Sequence, residues 1–152
     1  MGLLDEFIGI TNRLNERGIE YAVCGGWAMA IHGFLRATTD IDLLILTEDL
    51  EKVREVAIEQ GFDVDGLPLH FGPTEIRRLS KIDGELKELI TLDMILVTEI
   101  FQEVWKDRQR VKWNNGEYWV VSTDGMIVMK ENAGRPKDLI DIDYLRGLDN
   151  ED

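Results

Sequence analysis

Asp40 and Asp42 stand two apart at the head of the aliphatic run Leu43 to Leu46. Branched aliphatics in such a run read as a buried strand. Strand side chains alternate, so both carboxylates point to one face. Like charges that close raise each other's pKa unless a cation sits between them. Paired carboxylate oxygens suit Mg²⁺, which also takes substrate phosphates as ligands. Upstream, Gly25 and Gly26 follow a short apolar run and precede Trp27. Backbone there can approach a triphosphate closely, and a helix starting near Trp27 would offer it N–H groups. Gly25, Gly26 and Trp27 are therefore nucleotide-binding candidates. Downstream, Asp93 lies inside Ile90 to Val97, an otherwise almost wholly apolar run. An isolated charge in such a strand is costly, and a metal or an ion pair resolves the cost. Each feature alone has an ordinary reading: a solvated strand end, a turn, a strand-end acid facing water. Their order and spacing together point to phosphate chemistry.

The elements that must hold these residues follow from periodicity. Leu3 to Arg17 spaces its apolar residues as an amphipathic helix closed by Gly18. Ile19 to Cys24 reads as a strand, Trp27 to Gly33 as a helix and Asp40 to Leu46 as a strand. Thr47 is placed to cap a helix from Glu48 to Gln60. Phe62 to Phe71 reads as a short strand and a loop, and Glu75 to Ile82, with its many charges, as an edge strand. Leu86 to Val97 is a strong strand and Ile100 to Lys106 a short helix. Asn114-Asn115-Gly116 favours positive φ and joins Arg110 to Trp113 and Glu117 to Val121 as a hairpin. Ser122 or Thr123 caps a helix over Met126 to Asn132, and Pro136 opens another through Leu145. Strands alternating with helices, plus hairpins, predict an α/β (α+β) domain with a mixed central β-sheet flanked by helices. One domain over 1–152 is expected, with a flexible acidic tail from about residue 147.

The stretch from Val23 to Leu46, with Gly25-Gly26, His32-Gly33, Arg36, Thr39 and Asp40-Ile41-Asp42, resembles the signature of the nucleotidyltransferase superfamily that contains DNA polymerase beta. It looks most like the small bacterial branch of AbiEii-type toxins and lincosamide nucleotidyltransferases. Lys130 and Ala133-Gly134-Arg135-Pro136-Lys137-Asp138 also look like that branch. The resemblance implies a nucleotidyltransferase fold and transfer of a nucleoside monophosphate from an NTP to a hydroxyl. The reaction is in-line attack on the α-phosphate with pyrophosphate leaving, and two metals stabilise the entering and leaving oxygens. It implies Asp40, Asp42 and Asp93 as catalytic metal ligands for two Mg²⁺ ions, with Mn²⁺ as the alternative, and Asp93 also as a candidate proton acceptor. Arg36, Thr39 and Lys130 join the glycines as nucleotide contacts, with Arg135 or Lys137 weaker candidates. Asp138 is read as a helix-start acid and His32 as a structural helix-end residue. Gly26 stands where the commoner motif has serine, so a hydroxyl at the phosphates is missing.

Composition narrows the partners. The chain has 152 residues, 44% of them hydrophobic and 31% charged, as expected of a globular protein. No apolar run is long enough to span a membrane, and the N-terminus lacks the basic start of a signal peptide. Its one cysteine, Cys24, reads as a core residue, and a reducing cytoplasm is the expected compartment. The net charge of −13 does not favour non-specific nucleic-acid binding. Two basic clusters, Arg77/Arg78/Lys81 and Lys106/Arg108/Arg110/Lys112, leave a local groove open. The chain is short for an enzyme with a separate acceptor-binding domain. The acceptor, a small molecule, tRNA or protein, is then expected on this domain or across a homodimer. The competing reading is a catalytically silent module with a cognate protein partner, as in a toxin–antitoxin pair.

Overall fold

The computed structural model describes residues 2–34, 40–84 and 88–149. Its centre is a mixed sheet of β1 (Ala22–Cys24), β2 (Asp40–Leu46), β3 (Val64–Asp65), β4 (Leu69–Phe71), β5 (Thr74–Asp83), β6 (Glu88–Val97), β7 (Gln109–Trp113) and β8 (Gly116–Val120). The strand order is β3-β5-β6-β2-β1-β8-β7, with β4 also paired to β5. The pairs β2/β6 and β1/β8 are parallel, and the others are antiparallel. The helices among the described residues are α1 (Leu3–Glu16), α2 (Gly25–Ile31), α3 (Leu50–Glu59), α4 (Gln102–Lys106), α5 (Thr123–Ala133) and α6 (Pro136–Asp149).

Alternation makes the two faces of the central strands chemically different. Ile41, Leu43 and Ile45 of β2 share a face with Leu92, Met94 and Leu96 of β6 and Leu79 of β5, and all are buried. Helix α1 and the end of α3 cover this face. Lys81 of β5 donates to Glu6 Oε1 of α1 at 3.0 Å and to the Gln60 carbonyl at 2.9 Å. Helix α1 turns Phe7, Ile10 and Leu14 inward at helical spacing. The opposite face carries Asp40, Asp42, Asp93 and Arg78, with α5 and α6 beside it.

Several boundaries differ from expectation. β5 is interior, because β3 and β4 pair along its outer side. Its charges do not mark an edge: Arg78 and Lys81 point to opposite faces, and each has a buried acid as partner. Helix α2 starts at Gly25, two residues early, and the strand before it shortens to Ala22–Cys24. Thr47 does not cap α3; its hydroxyl donates to the Val97 carbonyl at 3.5 Å, and a 3-10 turn over Thr47–Asp49 leads into the helix. Helix α6 runs to Asp149, so the expected tail from residue 147 is helical as far as the structure describes it. The hairpin turn has Asn114 and Asn115 at φ of 47° and 62°, and Ser122 caps α5 by accepting from the Gly125 N–H at 3.0 Å. No described helix is long and apolar enough to cross a membrane.

Leu92 is fully buried between Ile41 and Leu79 on neighbouring strands. Leu92→Ala is expected to cost about 2–5 kcal/mol in urea unfolding, because the sheet cannot close on the cavity. A loss below about 1 kcal/mol would show that this face is less tightly sealed than its burial implies.

Candidate active site

Strand register builds the site. Asp42 of β2 lies opposite Asp93 of the parallel strand β6 and opposite Cys24 of β1. Asp40 is two residues back on the same face. Arg78 of β5 lies directly opposite Asp93. The four side chains line a cleft of about 280 Å³, roofed by Met126, Met129 and Lys130 of α5 and by Asp138 and Asp141 of α6.

Gly25 closes the inner end and has φ of +64°. A Cβ there would sit 2.1 Å from Asp42 Oδ2. A side chain cannot share that volume, so the glycine exists to admit the carboxylate as well as to take the left-handed turn. Asp42 opens partly onto the cleft but is otherwise ringed by protein. That desolvation, followed by the charges of Asp93 and Asp40, pushes its carboxyl up to about 7. Asp40 is also raised, by desolvation first and then by Asp93. Neither makes an ion pair with any described residue. Cys24, buried beside them, is pushed up mainly by desolvation, in keeping with a small core residue.

Asp93 is 5% exposed, and its charge is met by a fork: Arg78 Nε donates to Oδ1 at 2.7 Å and an Arg78 terminal nitrogen to Oδ2 at 2.9 Å. These bonds raise the Arg78 pKa further. In this arrangement both Asp93 oxygens face Arg78, while Asp40 and Asp42 make no ion pair with any described residue. Among the described residues, no three His, Cys, Asp or Glu side chains are gathered as a metal cage.

Solved structures share this arrangement of elements. The lincosamide antibiotic adenylyltransferase LnuA, solved with lincomycin bound, is 17% identical with a TM-score of 0.61, over 93% of this chain and 95% of its own. A Thermotoga maritima protein assigned as a nucleotidyltransferase is 16% identical with a TM-score of 0.67, over 98% and 93%. ANT(2″)-Ia, solved with adenylyl-2″-tobramycin, is 16% identical with a TM-score of 0.59, over 94% and 84%. The chain has the nucleotidyltransferase fold. No protein-family model matches the sequence, and no curated protein does.

Within that fold the candidates divide. Gly25, Gly26, Asp40, Asp42, Asp93 and Lys130 all line the cleft. Arg36 and Thr39 lie outside the described residues. Trp27 does not face the cleft. Its ring stacks on Phe7 at 4.5 Å and meets Trp113 edge-on at 6.1 Å. Only its backbone, in the first turn of α2, stays near the site. Lys130 is held by acids, with Asp141 at 3.0 Å and Asp138 at 3.9 Å. Asp138 is fully buried and accepts from the backbone N–H and guanidinium of Arg135, fastening the start of α6. This is the helix-start role expected of it. His32 Nε2 lies 2.8 Å from the Val121 carbonyl, a structural contact at the end of α2. Of the two basic clusters, only Arg78 reaches the cleft; Arg108 instead packs over Trp105 and Trp119. The role of Arg78 escaped the sequence, where it read as one of three neighbouring surface charges.

Two outcomes follow for the metal-free protein. The unfolded chain releases the Asp42 proton near 3.8 and the folded chain near 7. Between those values the folded state holds more protons, so rising pH lowers stability by up to about 1.4 kcal/mol per unit. Above the folded value the contribution is constant. Urea unfolding in EDTA should show this decline and Asp42→Asn should flatten it; equal slopes would remove the argument. Gly25→Ala should lower stability by at least about 1–2 kcal/mol, because it adds a Cβ at positive φ on top of the Asp42 contact, and it should also weaken divalent-ion binding measured by calorimetry.

Proposed function

We propose that the protein is a metal-dependent nucleotidyltransferase that moves a nucleoside monophosphate from an NTP to a hydroxyl-bearing acceptor. The observation that carries this is the pair Asp40 and Asp42 on β2 of a nucleotidyltransferase-fold sheet, close together, desolvated and without an ion pair to any described residue. Hard carboxylate oxygens with raised pKa fit a hard divalent ion, and Asp40 and Asp42 would hold it. When bound, Mg²⁺ would supply charge neutralisation at the phosphates.

The chain's own residues do the rest. Gly25 and Gly26 present backbone without side-chain bulk beside Asp42, so phosphate oxygens can come close. Lys137 lines the cleft, is exposed and makes no ion pair with any described residue. We assign it, ahead of the acid-bound Lys130, to the phosphates. Arg135 at the rim, half-exposed and 6.0 Å from the Phe71 ring, is the second cation within reach. Ile76, Ile95, Phe101 and Met126 give the cleft an apolar wall that suits a base or the body of an acceptor. In the reaction, the bond from the α-phosphorus to pyrophosphate breaks as the bond to the acceptor oxygen forms, pyrophosphate leaves, and the acceptor hydroxyl proton passes to water. The likeness to LnuA spans nearly all of that adenylyltransferase, so a chain of this extent is compatible with acceptor binding on the same domain. A small hydroxyl-bearing molecule is the acceptor class this supports best.

Calorimetric titration of each NTP, with Mg²⁺ and then with EDTA, tests the reading. One nucleotide should bind only with metal. Asp42→Asn should abolish that binding with unchanged circular dichroism, and Lys137→Ala should weaken it about tenfold, the loss of one charge-assisted contact of about 1.4 kcal/mol. If no nucleotide binds at millimolar concentration, the fold serves as a silent partner surface instead.

A further inference from the structure

We propose that Arg78 takes the place of a second metal ion, so that the nucleotide-loaded protein holds one divalent ion, on Asp40 and Asp42. This rests on the nucleotidyltransferase reading above. The carboxylates are unequal. Asp40 and Asp42 make no ion pair with any described residue, although Arg78, Arg135 and Lys137 lie near enough to act on them, whereas Asp93 is gripped through both oxygens at 2.7 and 2.9 Å. A fork of this kind is among the strongest ion-pair geometries available to a side chain.

The fork is built into the backbone. Arg78 and Asp93 face each other within a continuous antiparallel ladder from Ile76/Ile95 to Asp83/Glu88. Neither Cα can retreat without breaking that ladder. The guanidinium also cannot yield by losing its proton, as a lysine could. A second divalent ion on Asp93 would therefore meet a permanent positive charge already on both oxygens.

Manganese titration with a non-hydrolysable NTP, followed by electron paramagnetic resonance, decides the matter. Wild-type protein should take one Mn²⁺ per chain with the spectrum of an isolated ion. Arg78→Gln should take two, with the spin coupling of ions about 3.5–4 Å apart. Asp93→Asn should still take one. Two ions in the wild type overturn the proposal and leave the nucleotidyltransferase reading standing. So does a count of one in folded Arg78→Gln, or of none in folded Asp93→Asn. No Mn²⁺ and no nucleotide bound by the wild type overturns both. The wild-type count stands whether or not a variant folds.

Discussion

The register of β2 against β6 is the constraint on which this molecule turns. It places Asp42 opposite Asp93, with Asp40 on the same face, and so gathers like charges that repel. The sheet tolerates this because its other face is largely aliphatic and is covered by α1 and the end of α3, with Lys81 of β5 the charge that reaches across to α1. A one-residue slip of β2 would turn the aspartates toward Leu92 and Met94 on the core face and Ile41 and Leu43 out of it. The hydrophobic effect thus holds together charges that electrostatics alone would drive apart.

What the fold then does with those charges distinguishes the two halves of the cleft. The roof is electrically closed: Lys130, Arg135, Asp138 and Asp141 answer one another and fix α5 against α6. The floor is partly open. Arg78 answers Asp93, whereas Asp40 and Asp42 make no ion pair with any described residue. Gly25 marks the open spot sterically, since the volume a Cβ would need belongs to the Asp42 carboxylate. Binding capacity is concentrated where compensation is missing, and rigidity where it is complete.

Much of this was legible in the sequence because it is local. Alternation puts Asp40 and Asp42 on one face, an apolar run flags Asp93 as costly, and Asn114-Asn115-Gly116 is a turn by its own chemistry. The mixed sheet flanked by helices followed from such local signals. What stayed hidden depends on how distant segments meet. The partner of Arg78 is set by the β5/β6 register, and the acids that hold Lys130 by the packing of α6 on α5. The direction of the Trp27 ring is set by which side of α2 faces α1. The charges of β5 read as an edge because nothing in that strand reveals the acids waiting on either side of it.

Trp27 carries one more consequence. It lies two residues beyond Gly25, its ring stacks nearly parallel on Phe7 with an interplanar angle of 5°, and its indole nitrogen is buried with no hydrogen-bond partner among the described residues. The backbone that touches Asp42 is thus tied, through one short helix, to a chromophore in an apolar setting. A tilt of α2 would shear that stack, so the environment of this indole is coupled to the backbone beside Asp42.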